Sequence, residues 1–271
     1  MSGTQLQFAE VIIVLIAYIG AGYAVWRHLR HAQPHWHVRL VAAVALIIHA
    51  IALAHVSLQA EVLVLGVGTA LSLFAWQSAL LLWLFSLRVS VGVLGLVVYP
   101  VAGLCALVAF AMPTGSAAVD SLGWESLLHI VLSMLAYGLL TLGAVQAVIL
   151  ALQHRQLRQR PPSRFVAILP PLETMETLLF QLIAVGFVLL SLAIASGFLF
   201  IDHLFAQHLA HKTILSLIAW LVFAVLLWGR HQFGWRGHTA VRGVVIGYIV
   251  LILAYFGSKL VLEIMLGEHW T

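Results

Sequence analysis

Apolar residues run along this chain in long, almost unbroken blocks, and the polar residues gather in the gaps between them. A helix rising about 1.5 Å per residue needs about twenty apolar residues to cross a hydrocarbon core about 30 Å thick. Eight stretches meet that length, centred on residues 8–26, 40–57, 62–86, 90–112, 125–152, 177–201, 213–229 and 243–266. A transmembrane barrel would instead alternate apolar and polar positions over about ten residues at a time. Runs such as Val91 to Met112 and Leu182 to Ile201 do not alternate. Only helices and closed barrels satisfy their backbone in lipid. The pattern therefore predicts an all-α integral membrane protein: a bundle of about eight transmembrane helices, forming a single membrane domain over residues 1–271.

Composition agrees and narrows the function classes. Of the 271 residues 63% are hydrophobic and 8% charged, against roughly 25% charged in an average globular chain. With a mean hydropathy of +1.09, the bilayer is the solvent and lipid the first partner. The net charge of +4 has no folded domain on which to form a basic face, so no nucleic-acid partner is expected. The one cysteine, Cys105, sits in an apolar run, which leaves no disulfide, CxxC or CxxCH motif. No helix carries the Glu-x-x-His pair of a di-iron site, and no Ser or Cys nucleophile stands beside a base. A non-enzymatic protein is expected.

Lys and Arg collect on the cytoplasmic side of membrane proteins. With the N-terminus outside, Arg27, Arg30, Arg39, Arg88, Arg155, Arg158, Arg160, Arg164, Arg230, Arg236 and Arg242 all fall in inner connections, and only Lys212 and Lys259 fall outside. The acids divide the other way, leaving only Glu173 and Glu176 inside. An even number of spans then puts both termini outside the cytoplasm. The first segment has no preceding basic residue and no small-residue cleavage pattern, so it reads as a retained helix. The connection from His154 to Pro171 reads as a solvated loop leading to Glu173 and Glu176, acids suited to the first turn of the sixth helix. Gly243 and Gly247 form a GxxxG pair for close helix packing.

Fourteen histidines stand out in so apolar a chain. His28, His31, His35, His37, His154, His231 and His238 lie beside the arginines, as juxtamembrane polar residues contacting headgroups do. His49 lies ten residues after Arg39, about 15 Å in and near the midplane, where ionisable groups are costly and usually functional. Its neighbours Ala42, Ala45 and Ala52 leave room for a facing helix or a flat ligand. His55 points elsewhere and reads as interfacial. His129 follows the interface residue Trp124 by five positions and heads a polar stripe with Ser133 and Tyr137 at four-residue steps. It suits either a ligand or a hydrogen-bonded core residue. Asp202, His203, His208, His211 and Lys212 form the densest polar cluster away from the arginines. Imidazoles on a helical bundle without nearby thiolates suit haem iron better than zinc.

The run SGFLF (Ser196 to Phe200), then HKTILSLIAWLVFAVLLWGR (His211 to Arg230), GWRG (Gly234 to Gly237) and LAYFGSK (Leu253 to Lys259) carry a recognisable pattern. It resembles the cytochrome c assembly membrane family of the CcsA, CcmC and HemX type, in particular a YpjD-like branch. LLHIVLSMLAYG (Leu127 to Gly138), LPPLETME (Leu169 to Glu176) and IIHAIAL (Ile47 to Leu53) extend the resemblance, most of which falls in residues 125–266. It implies a multi-pass protein of the bacterial inner membrane that binds or conveys haem. The family's outer haem-ligand histidine carries over onto His129, and a second is expected near His211 or His269. Where the family has a tryptophan-rich WWD motif, this chain reads FIDHLFAQHLAHKT.

The leading expectation is thus a haem-binding membrane protein related to cytochrome c assembly factors, holding haem b, with His49, His129 and His211 as cofactor-binding residues and His49 and His129 as iron ligands. The missing tryptophans motivate the alternative, a haem-free structural or regulatory subunit acting through a partner membrane protein. A transporter would show two matching halves with broken helices, and the sequence has no such repeat.

Overall fold

Each apolar block folds as a helix, as a chain surrounded by hydrocarbon must. The computed structural model describes residues 3–31, 34–59, 67–88, 92–111, 123–157, 169–200 and 207–254. The elements are α1 (Gly3–His31), α2 (His35–Gln59), α3 (Val67–Ser86), α4 (Gly92–Phe110), α5 (Trp124–Leu157), α6 (Leu172–Phe200), α7 (Gln207–Phe233) and α8 (His238–Ile252), with no strand among the described residues. Among those residues seven helices are long and apolar enough to cross a membrane, and α8 is shorter. The expected stretch of the eighth span beyond Ala254 lies outside the described residues. Large apolar side chains face outward, among them Leu199, Ile16 and Ile47, as lipid contact requires. Trp36, Trp124 and Trp228 are exposed near helix ends, the level at which indoles meet headgroups.

Contacts gather the helices into two units, Met1–Leu122 with Arg164–Leu169 and Gly123–Ser163 with Pro170–Thr271. In the first, α4 packs against α1 and α3, and α2 against both of these. Small residues set the approach. A Cβ added at Gly103 would lie 3.2 Å from the Cβ of Tyr18, and one at Gly22 would lie 3.0 Å from the ring of Pro100. Two indoles tie α3 to α2: Trp76 donates to the Leu46 carbonyl and Trp83 to the Arg39 carbonyl, both at 2.9 Å. Arg39 returns the tie by donating to the Ser86 carbonyl.

In the second unit α5 and α6 share the largest interface. Gly143 accommodates Ile183, and Gly186 accommodates Leu140. The GxxxG pair does pack closely, since added Cβ atoms would sit 2.8 Å from Leu226 at Gly243 and 2.9 Å from the Phe223 ring at Gly247. Between α7 and α8 the chain reverses through Gly234 and Gly237, with φ of 65° and 61°, values open to glycine at little cost. Gly234 N–H donates to the Arg230 carbonyl, a left-handed C-cap, and Gly229 lets the Trp235 indole fold against α7.

Candidate functional site

His49 is 1% exposed, near the middle of α2. Its Nδ1 lies 3.1 Å from the Tyr18 hydroxyl on α1, and its Nε2 lies 2.9 Å from the Ser72 hydroxyl on α3. The Tyr18 ring meets the imidazole edge-on and stacks on Tyr99 of α4. Three helices, α1, α2 and α3, therefore meet at the imidazole, and α4 reaches it through Tyr18. Ala42 and Ala45 are buried, while Ala52 is only partly so.

His129 lies five residues into α5 and is half-buried. Its Nδ1 is 3.0 Å from the hydroxyl of Ser196 on α6, while among the described residues its Nε2 has only a long 3.5 Å contact with Ser133. Ser196 is 5% exposed and donates its own proton to the Ala193 carbonyl at 2.8 Å. Of the polar stripe, Ser133 does reach His129, whereas Tyr137 uses its carbonyl to accept from Thr141. His211 falls within α7, but its side chain lies outside the described residues, as do His203 and His269.

The arginine-rich end of the second unit differs from expectation. α5 continues to Leu157, so His154 is a helical, partly buried residue instead of part of a solvated loop. Among the described residues its Nε2 is buried without a hydrogen-bond partner, 3.8 Å from Glu176 Oε1, and its ring lies 5.4 Å from that of His238. Glu173 does occupy the first turn of α6, but Glu176 reaches across to accept from Gly237 N–H at 2.8 Å. Nothing in the single sequence signalled that partner. In the first unit, His28 and His35 bring their rings to 4.1 Å, beside Arg39 in a cavity of about 40 Å³. At the other end His55 pairs with Glu10 at 2.8 Å and is exposed, in keeping with an interfacial place. Among the described residues no three His, Cys, Asp or Glu side chains converge as metal ligands.

A haem iron asks for an imidazole nitrogen with a free lone pair, the other nitrogen held by an acceptor. His129 fits: one nitrogen is anchored and the other is nearly unengaged. His49 as packed does not fit, because both nitrogens are taken and reaching iron would mean surrendering Tyr18 or Ser72.

The family profile described as "Cytochrome C assembly protein" matches residues 11–266. The chain belongs to the cytochrome c assembly protein family. It is 38% identical over 139 residues to "Inner membrane protein YpjD" of Escherichia coli K12, a match covering 51% of this chain and 52% of the relative. A 28.8 kDa protein of Azospirillum brasilense is 34% identical over 142 residues, or 52% of each chain. "Cytochrome c biogenesis protein CcsA" of Chlamydomonas reinhardtii is 24% identical over 141 residues, 51% of this chain and 38% of that one. The chain spans about half the length of the curated relatives it matches. No solved structure matches. With that family membership and, among the described residues, seven helices long and apolar enough to cross a membrane, the protein is a multi-pass protein of the bacterial inner membrane, in a family of cytochrome c assembly proteins.

Proposed function

We propose that this protein binds haem non-covalently, as haem b, through His129, and serves cytochrome c assembly as a membrane factor rather than as an enzyme. The observation that carries this reading is the anchored Nδ1 and nearly unengaged Nε2 of His129, in a chain with no CxxCH for covalent attachment. His211 is the first candidate for a second ligand, and His49 joins only by exchanging a hydroxyl partner for iron. Protein expressed with ample haem should purify with a Soret band. His129→Ala should remove or alter that band while the protein still inserts, because no spanning helix is lost. His203→Ala and His208→Ala should leave it in place. Absence of the band from wild-type protein would reject the reading.

A second reading rests on the absence of the tryptophan motif before α7 and on the fully satisfied His49: a haem-free structural or regulatory subunit. Co-purification of a stoichiometric membrane partner, with no chromophore, would favour it.

A further inference from the structure

We infer that Ser196 is a positioning residue that fixes the tautomer of His129 and leaves Nε2 as the nitrogen able to bind a metal. The inference rests on the reading of His129 as a haem ligand. A serine hydroxyl has one proton to give. Ser196 gives its proton to the Ala193 carbonyl one turn back on α6, at 2.8 Å. Toward His129 its oxygen is then an acceptor only, so the proton on the imidazole must sit on Nδ1, 3.0 Å away. Nε2 is left with a lone pair, and among the described residues the nearest partner it meets is the distant Ser133 hydroxyl, which can donate weakly to it at 3.5 Å. The two contacts of Ser196 together favour this protonation pattern, and the Ser133 contact is compatible with it. That pattern is the one in which a metal-ligating histidine is commonly held, its far nitrogen donating to a fixed acceptor that sets ring orientation and strengthens the ligand.

The same helix supplies a contrast. Ser191 also donates to a backbone carbonyl, that of Phe187 at 2.8 Å, but its oxygen accepts from the Trp220 indole rather than from a histidine. Serines in this apolar helix satisfy themselves on the backbone and present an acceptor outward, and at Ser196 that acceptor meets an imidazole. His49 differs in that both of its nitrogens have a close hydroxyl, at 3.1 and 2.9 Å.

The test uses the full-length protein in detergent with histidine side chains labelled with nitrogen-15, the His129 signals being those lost in His129→Ala. In haem-free wild-type protein His129 should carry its proton on Nδ1. Ser196→Ala should mix the tautomers, Ser196→Thr should restore the wild-type pattern, and Ser191→Ala should leave it unchanged. Titrated with haem, Ser196→Ala should bind about 10- to 100-fold more weakly and at a higher reduction potential, since the ligand is a poorer donor to ferric iron. A wild-type His129 protonated on Nε2, or a Ser196→Ala protein with unchanged tautomer or unchanged haem affinity, would overturn the inference. If instead the tautomers behave as expected but His129→Ala keeps a wild-type haem spectrum, it is the ligand reading of His129 that fails.

Discussion

The carboxylate of Glu176 on α6 accepts a hydrogen bond from the backbone N–H of Gly237, 61 residues further along the chain, at 2.8 Å. Helix α8 begins at His238 and has no side-chain cap from Gly237 itself, so its first N–H groups depend on what neighbouring helices offer. Glu176 brings a negative charge to the positive end of the α8 dipole as well as an acceptor. Glu176→Ala should lower stability by about 2 kcal/mol, the range for hydrogen bonds to charged groups, and Glu176→Gln should recover part of it. Thermal unfolding in detergent reads the difference, and an unchanged melting temperature for the alanine variant would show that the cap contributes nothing.

His49→Ala should be far more damaging than His31→Ala. The substitution removes a side chain that is 1% exposed and strands the hydroxyls of Tyr18 and Ser72, which are its partners. A cavity together with unpaired polar groups costs about 3 kcal/mol, whereas His31 is exposed at the end of α1. Comparable folded yield and melting temperature for the two variants would contradict the argument from depth.

The helix glycines divide by what surrounds them. Gly247→Val drives a branched side chain into the Phe223 ring, 2.9 Å from the position of a Cβ, and should destabilise by about 1–3 kcal/mol through overpacking. Gly20 has nothing within 4 Å of such a position. Gly20→Ala should be neutral or stabilise by up to about 1 kcal/mol, the helix-propensity gain. Chemical or thermal denaturation of the pair would expose the contrast, and a Gly247→Val protein as stable as wild type would refute it.

Orientation rests on charge. With so many arginines in alternate connections, we propose that both termini lie outside the cytoplasm. A reporter active only in the cytoplasm and fused after Thr271 should be silent. Strong activity would mean an odd number of spans or both termini inside.

The eight helices were legible because each apolar block is long enough to be a span by itself, and lipid leaves the backbone no alternative. His49 was legible as unusual by its depth, and His129 as the head of a polar stripe with Ser133. Their partners were not: Tyr18 and Ser72 lie 31 and 23 residues from His49, and nothing in one sequence says which helices face each other. The same blindness hid the Glu10–His55 pair. His154 was misplaced into a loop because its neighbours are polar, whereas α5 continues to Leu157 and Glu176 on the next helix lies 3.8 Å from it. Ser196 entered only as the first letter of a motif, although a serine deep in an apolar helix carries a signal of its own: it must settle its proton somewhere.

The reversal at Gly234 and Gly237 also bears on how the helices move. So short a link, pinned by Trp235 against Gly229 and by Arg230 donating to the Trp235 carbonyl, allows α7 and α8 little independent movement. The hydrogen bond from Gly237 to Glu176 ties the same turn to α6, so a tilt of α8 in the bilayer would have to carry the end of α7 with it or break that bond. The turn therefore acts as a clamp that keeps three helices in step, and loosening it at either glycine would free α8 to rotate.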